Sequence, residues 1–243
     1  MLTKINNLLS IKKRIMLGLL MVGLMSIDIQ GASYLMLTDL GSSAEMIRRG
    51  NIEGFSQGSN SIFENPAALY RVKNVSTSVF ATQLMEEVEY KNVSVAISTG
   101  VGVFSLGYMD AGVDDIYITR MTDDGYVETN GTFSYKNRLA KIGYQKSITD
   151  TLHLGVNGVG YMNEIYTYTG SGYSIDAGAI YSFSEITVSL FARNLIPTVV
   201  TYTDSADESY SGEEELPLQV VLGVGYPFGD VDILGQFKFG ATH

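Results

Sequence analysis

The chain has no cysteine and no tryptophan, and only four prolines and two histidines among its 243 residues. Without cysteine there is no disulfide frame, no thiolate metal site and no cysteine nucleophile. In an exported chain that absence fits bacterial export better than eukaryotic secretion. Basic residues are scarce too: 16 Lys and Arg stand against 26 Asp and Glu, a formal charge of −10. Phosphate-backbone binding is driven by Lys and Arg, so nucleic acid is not an expected partner. Beyond residue 31 no apolar run approaches the roughly 20 residues that a membrane-spanning helix needs. The other structure able to cross lipid is a closed β-barrel, which satisfies every backbone group between strands.

What is present begins with a leader at residues 1–31. Lys4, Lys12, Lys13 and Arg14 form a basic head, and Ile15 to Ile27 form an apolar core shorter than a spanning helix. Small residues follow at Gly31, Ala32 and Ser33. This is the pattern of a secretory signal peptide, with the mature chain starting near Ala32; an uncleaved N-terminal anchor is the alternative. Removing the leader takes away four basic groups and one acid, so the formal charge moves from −10 to −13. Glycine (26) and tyrosine (16) are abundant, which suits a β-rich chain.

Period-two alternation runs through the second half. In "TLHLGVNGVGYM" (151–162), Leu152, Leu154 and Val156 share one face while His153 and Asn157 share the other. In "SGYSIDAGAIYS" (171–182), Tyr173, Ile175, Ala177, Ala179 and Tyr181 lie opposite Ser174 and Asp176, with Ile180 the exception. "ITVSLFARN" (186–194) sets Val188 and Leu190 against Ser189 and Arg193; "LQVVLGVGY" (218–226) and "VDILGQFKF" (231–239) continue the pattern. Such alternation predicts strands. Five less regular segments precede them, Val75–Leu84, Tyr90–Thr99, Val101–Met109, Ile116–Thr122 and Phe133–Gln145, for about ten strands in all. Turns are expected at 98–102, 147–151 and 182–185. Long acidic loops are expected at 110–115, 121–131 and 201–215.

A soluble sandwich also alternates, but large branched residues fill its apolar faces. Here those faces mix Leu, Val, Ile, Tyr and Phe with Gly and Ala, and the other faces carry small or polar residues with single charges. Tyr90, Tyr108, Tyr117, Tyr144, Tyr161, Tyr173, Tyr181 and Tyr226 recur near strand ends, where a barrel carries aromatic girdles. Short turns alternating with long loops fit the same reading. The pattern therefore favours an all-β, antiparallel transmembrane barrel over a secreted sandwich adhesin. Leu152, Leu154, Val156, Val188, Leu190, Leu218, Val220 and Leu222 would face lipid, and Asn157, Asp176, Ser189 and Arg193 the lumen.

"GSSAEMIRRGNIEGFSQGSNSIFENPAAL" (41–69) resembles the N-terminal signature of PorV-like and FadL-like outer-membrane barrels, with Phe63, Asn65, Pro66, Ala67, Ala68 and Leu69 matching its end. Ile47, Arg48 and Arg49 depart from it, standing where small residues are usual. Downstream, "RNL" (193–195) and "ELP" (215–217) are the words closest to the PorV-like branch. The resemblance implies that residues 32–74 form a plug inside a barrel built from 75–243. Pro66 would end irregular backbone ahead of the first strand, and Ala67 and Ala68 would allow close approach. Asn65 would satisfy a local turn. Arg48, Arg49, Glu45, Glu53 and Glu64 would need water or partners, Asp176 and Arg193 among them, in a polar-packed segment. The resemblance also implies about fourteen strands, so an incomplete wall is expected here.

The same resemblance implies a bacterial outer-membrane protein that passes hydrophobic or amphipathic compounds, or one that binds secreted cargo proteins; outer-membrane lipid is the surrounding partner. No enzyme, cofactor or metal is expected. A hydrolase needs a nucleophile with an oriented base; Ser171 or Ser174 near His153 is such a pair on paper only, His153 reading instead as a lumen-facing polar residue, and His243 is the last residue. Asp204, Asp207, Glu208, Glu213, Glu214 and Glu215 lack the spacing of a calcium loop and read as a solvated loop. "TGVGVF" is followed by no phosphate-binding helix.

Overall fold

The structure, a computed structural model, describes residues 37, 39–84, 86–207 and 211–241. The leader at 1–31, the start near Ala32, Glu208 and His243 lie outside the described residues.

Alternation gives eleven strands: β1 (Val75–Leu84), β2 (Val88–Thr99), β3 (Gly102–Met121), β4 (Val127–Ser147), β5 (Leu152–Ile165), β6 (Tyr168–Phe183), β7 (Ile186–Arg193), β8 (Thr198–Asp204), β9 (Ser211–Leu216), β10 (Leu218–Phe228) and β11 (Val231–Ala241). All lie in one antiparallel sheet, in the order β1-β2-β3-β4-β5-β6-β7-β10-β11, with β8 pairing β6 and β9. The chain is all-β. Among the described residues no ladder joins the edge strands β1 and β11.

Three expected loops are largely strand. Residues 110–115 belong to β3, which joins most of Val101–Met109 and Ile116–Thr122 into one strand with irregularities between Val113/Ile116 and Tyr117/Thr119. Of 121–131 only 122–126 form the turn, and 201–215 is mostly the β8–β9 hairpin. These stretches are polar on both faces, so no hydrophobic alternation betrays them, yet their backbones still find ladder partners. That hairpin prolongs the β7–β10 pair. Arg193 pairs Gln219 just before a break at residues 194–197, and Thr198 pairs Leu216 just before Pro217. Proline cannot donate to a ladder, and Asn194 at φ 54 turns the chain. The words "RNL" and "ELP" mark this break.

Residues 39–72 cover one face of the sheet. They hold helix α1 (Ala44–Arg48), whose N-cap Ser43 accepts from Met46 N, and two 3-10 turns, Ser59–Phe63 and Pro66–Arg71. Ser59 bonds Ser76 of β1 and Ser94 of β2, while Glu53 N bonds Gln236 of β11. A short segment that reaches both edges and the strands between them requires the sheet to curl around it.

The two faces differ in kind. Toward the segment lie Asn92, Ser94, Ser105, Asn137, Lys141, Gln145, Asn157, Ser174, Asp176, Ser189, Arg193 and Gln219, all buried. Away from it lie large apolar residues that are exposed, Val79 at 77%, Ile142 at 65%, Leu106 at 54% and Tyr173 at 76% among them. Two residues assigned to the tyrosine girdle point the other way: Tyr90 and Tyr161 are buried against the segment. Nor is the segment packed by polar contacts alone. Ile62 and Phe63 join Tyr90, Met109, Leu139, Val159, Tyr161, Val200 and Leu216 in an apolar cluster. Each fully buried side chain of that size contributes about 1.5–3 kcal/mol.

Candidate functional site

The segment meets the inner face most closely at "NPA". Asn65 caps the second 3-10 turn: its Oδ1 accepts from Ala67 N at 3.0 Å. Its Nδ2 donates to Ser189 Oγ at 2.9 Å and to Leu190 O at 3.1 Å. Pro66 takes the first position of that turn, where a missing N–H costs nothing. Two wall glycines make the approach possible. A Cβ at Gly178 would sit 1.9 Å from Asn65 Oδ1, and one at Gly155 would sit 2.4 Å from Ala67 N. Ala67 and Ala68 pack on Ile180, the exception to the alternation on β6. Leu69 joins a separate apolar group with Val72, Ala96 and Val103. Phe63 lies against Gly107.

The four residues expected to face a lumen, Asn157, Asp176, Ser189 and Arg193, are buried on the covered face of the sheet, and each has a partner. Asn157 Nδ2 donates to Ile62 O at 2.9 Å. Ser189 holds Asn65. Asp176 forms an ion pair with Lys141 at 2.6 Å and accepts from Asn194 N at 3.2 Å. Arg193 pairs with Glu53 and donates to the Gln219 side chain, while its guanidinium lies 4.9 Å over the Phe191 ring. Arg193 thus meets the segment directly. Asp176 bonds within the wall instead, because Lys141 lies beside it on the same inner face.

Lys238 completes the charged group, 2.8 Å from Glu53 and 2.6 Å from Asp39. Burial pushes the Glu53 carboxyl up, but Arg193 and Lys238 outweigh it and hold the group below its ordinary range. Glu64 behaves oppositely. Burial lifts its carboxyl to about 7, with hydrogen bonding from Ser56 opposing, the Glu53 charge adding, and hydrogen bonds from Ser42 and Gly54 N opposing further. Of the other segment charges, Arg49 pairs with Glu45 at 3.0 Å and Arg48 is exposed. Arg49 also donates to Phe55 O, and Arg71 to Gly54 O and Ser56 O. These groups open on a cleft of about 370 Å³ beside Phe55, Tyr226 and Leu234.

Lys141 and Gln219 were missed in the sequence, whereas Lys238 was placed on the polar face of the last strand without its partners. Lys141 too falls on a polar strand face, which is the signal that could have found it. Ser174 is not brought to His153. Ser174 bonds Thr198 and lies opposite Val159, whereas His153 Nδ1 meets Ser147 at 2.8 Å and its ring stacks on Tyr70. Among the described residues no group of three or more His, Cys, Asp or Glu could hold a metal ion, and no helix is long and apolar enough to cross a membrane. The arrangement holds the segment against the covered face of the sheet. No known family, characterised protein or solved structure matches this chain.

Proposed function

We propose that the chain is the wall and plug of a bacterial outer-membrane β-barrel, of the kind that passes hydrophobic or amphipathic compounds, with residues 39–72 as the plug. The observation that carries this is the inversion of the faces: polar and charged residues buried inside, large apolar residues exposed outside. In water that arrangement wastes the hydrophobic effect; in lipid it is the stable one. On β6 the outward residues run Tyr173, Ile175, Ala177, Ala179, Tyr181. Eight residues at about 3.3 Å each put the two tyrosines about 26 Å apart along the strand. With the strand tilt of about 35–45° this is about 19–22 Å of height, within the apolar band of about 25 Å that an outer-membrane barrel carries between its aromatic girdles. The outward ion pairs of Arg138 with Asp110 and Glu164 lie just beyond Tyr108 and Tyr173, where the band would end. Five buried inward oxygens without a protein partner, on Asn92, Ser105, Asn137, Asn157 and Asn163, fit an interior that holds water.

The reading makes a demand on the edges. The main path has nine strands, so β1 and β11 run the same way and could meet only in parallel. Closing the wall with antiparallel ladders requires an odd number of further strands between them, since an open edge is not tolerated in lipid.

Membrane fractionation with heat-dependent gel mobility tests the placement. Detergent-free extraction of the folded chain would refute it. Deleting 41–60 tests the plug: an inserted wall with raised leak to small solutes is expected, and unchanged permeability would refute it. The alternative of a cargo-binding barrel draws on the β3–β4 hairpin, whose 116–133 portion projects past all neighbouring strands. Loss of cargo binding without loss of passage, on shortening that hairpin, would favour it.

A further inference from the structure

We propose that Glu64 is a proton-operated catch that holds residues 42–64 folded on themselves, closed when its carboxyl is protonated and loosened when it ionises. The catch is a regulation of the plug just described, and its consequence, a passage that opens as pH rises, rests on that reading.

Glu64 is fully buried at the joint between the two 3-10 turns. Its Oε1 accepts from Ser42 Oγ at 3.1 Å and Asn60 Nδ2 at 3.4 Å, and its Oε2 from Gly54 N at 3.2 Å. One carboxyl thus ties three points that lie 22, 4 and 10 residues away along the chain. Among the described residues no cation comes within ion-pair distance of it, because each nearby one is engaged elsewhere. Arg193 of β7 and Lys238 of β11 hold Glu53, Lys141 of β4 holds Asp176 of β6, and Arg49 holds Glu45. Arg71 of the second 3-10 turn is bonded to the Gly54 and Ser56 carbonyls. The charge that bears on Glu64 is Glu53, kept ionised by its two cations, and it repels a second negative charge. A protonated carboxyl avoids that repulsion, and the Ser42 hydroxyl can reverse to accept its proton.

The carboxyl in the folded segment titrates near 7, above its ordinary 4.5. Its contribution is therefore fully present below about pH 4.5 and is lost as pH rises through 7. Glu53 works in the opposite sense. Its contribution is present above its ordinary value and fades as pH falls below it. Between these limits Glu64 alone makes the segment more open with rising pH.

The absence of cysteine allows a direct test. Ser61, buried within the tied stretch, is replaced by Cys in the full chain, and its labelling by N-ethylmaleimide is compared with and without Glu64→Gln. Taking the ratio at each pH removes the thiol's own titration. The ratio of labelling with Glu64 present to labelling in the Glu64→Gln background should be near one at about pH 4.5, rise from there, and level off above about 7 at tenfold or more. A ratio independent of pH would overturn the proposal. Hydrogen exchange over 42–64 in the unaltered chain, corrected for its chemical pH dependence, must show the same rise in opening between about pH 4.5 and about 7, and its absence is equally fatal. Heat-dependent gel mobility in the same samples reports on the wall, so a failed catch and a failed barrel give different results.

Discussion

β3 and β4 pass through two surroundings. Up to about Val113 and from about Tyr135 they lie between β2 and β5, with the segment against one face. There Val103, Ser105, Met109, Asn137, Leu139 and Lys141 are buried while Leu106 and Ile142 are exposed. Beyond, from Ile116 to Phe133, the two strands bond only to each other, and Tyr117, Met121, Tyr126 and Val127 stand in the open. Backbone pairing is the same in both parts. Side chains are sorted only where the two faces meet different surroundings, so the twofold period carries information in the wrapped part and almost none in the arm. A lone two-stranded ribbon is marginally stable in water, which makes the arm the less stable region.

The largest expected effect lies inside the wrapped part. Arg193→Ala leaves Glu53 buried with Lys238 as its remaining cation and should cost about 3–5 kcal/mol in urea unfolding. Arg120→Ala on the arm should leave the transition unchanged. Equal costs would mean that the inner pair is not buried as described. Next comes the outer face. In a bilayer Leu222→Arg should cost about 2–4 kcal/mol near the midplane, whereas Gly223→Ser, facing the segment, should disturb Phe55 rather than insertion. Insertion that tolerates Leu222→Arg would break the inversion argument.

The "NPA" contact should matter less. Asn65→Ala removes the cap on Ala67 N and the bonds to Ser189 and Leu190, with an expected loss of about 0.5–2 kcal/mol for the cap. Ser189→Ala should retain the cap and lose only the Ser189 bond, so comparing the two variants separates capping from docking. The smallest effect is reserved for the arm. Replacing residues 116–133 by a short turn should leave the unfolding midpoint where it was, read by circular dichroism. A clear drop would show that the arm packs on something and would erase the contrast between the regions.

Much of the wrapped part was legible. The alternation on β5, β6 and β7 places Asn157, Asp176, Ser189 and Arg193 on one face, which is where they lie, and Ile180 was visible as the exception that Ala67 and Ala68 now explain. Their individual pairings were not legible. Glu53 and Arg193 lie 140 residues apart, and Asn65 and Ser189 lie 124 apart, so no local spacing links them. Tyr90 and Tyr161 were assigned to the girdle although the alternation of β5 already puts Tyr161 on the face of His153 and Asn157; both are amphipathic side chains, and on that face they pack against Met109 and the Asn194 side chain.

By itself the sequence determined an all-β antiparallel chain and the parity of its strands, because a twofold period is a local property of the pleated backbone. It did not determine the extent of β3, β4, β8 and β9, whose polar faces leave no periodic trace, nor the partners of Glu53 and Glu64. Those were decided by tertiary structure, since an ion pair or a buried carboxyl acquires its energy only when the sheet curls and excludes water from groups that are remote in the chain.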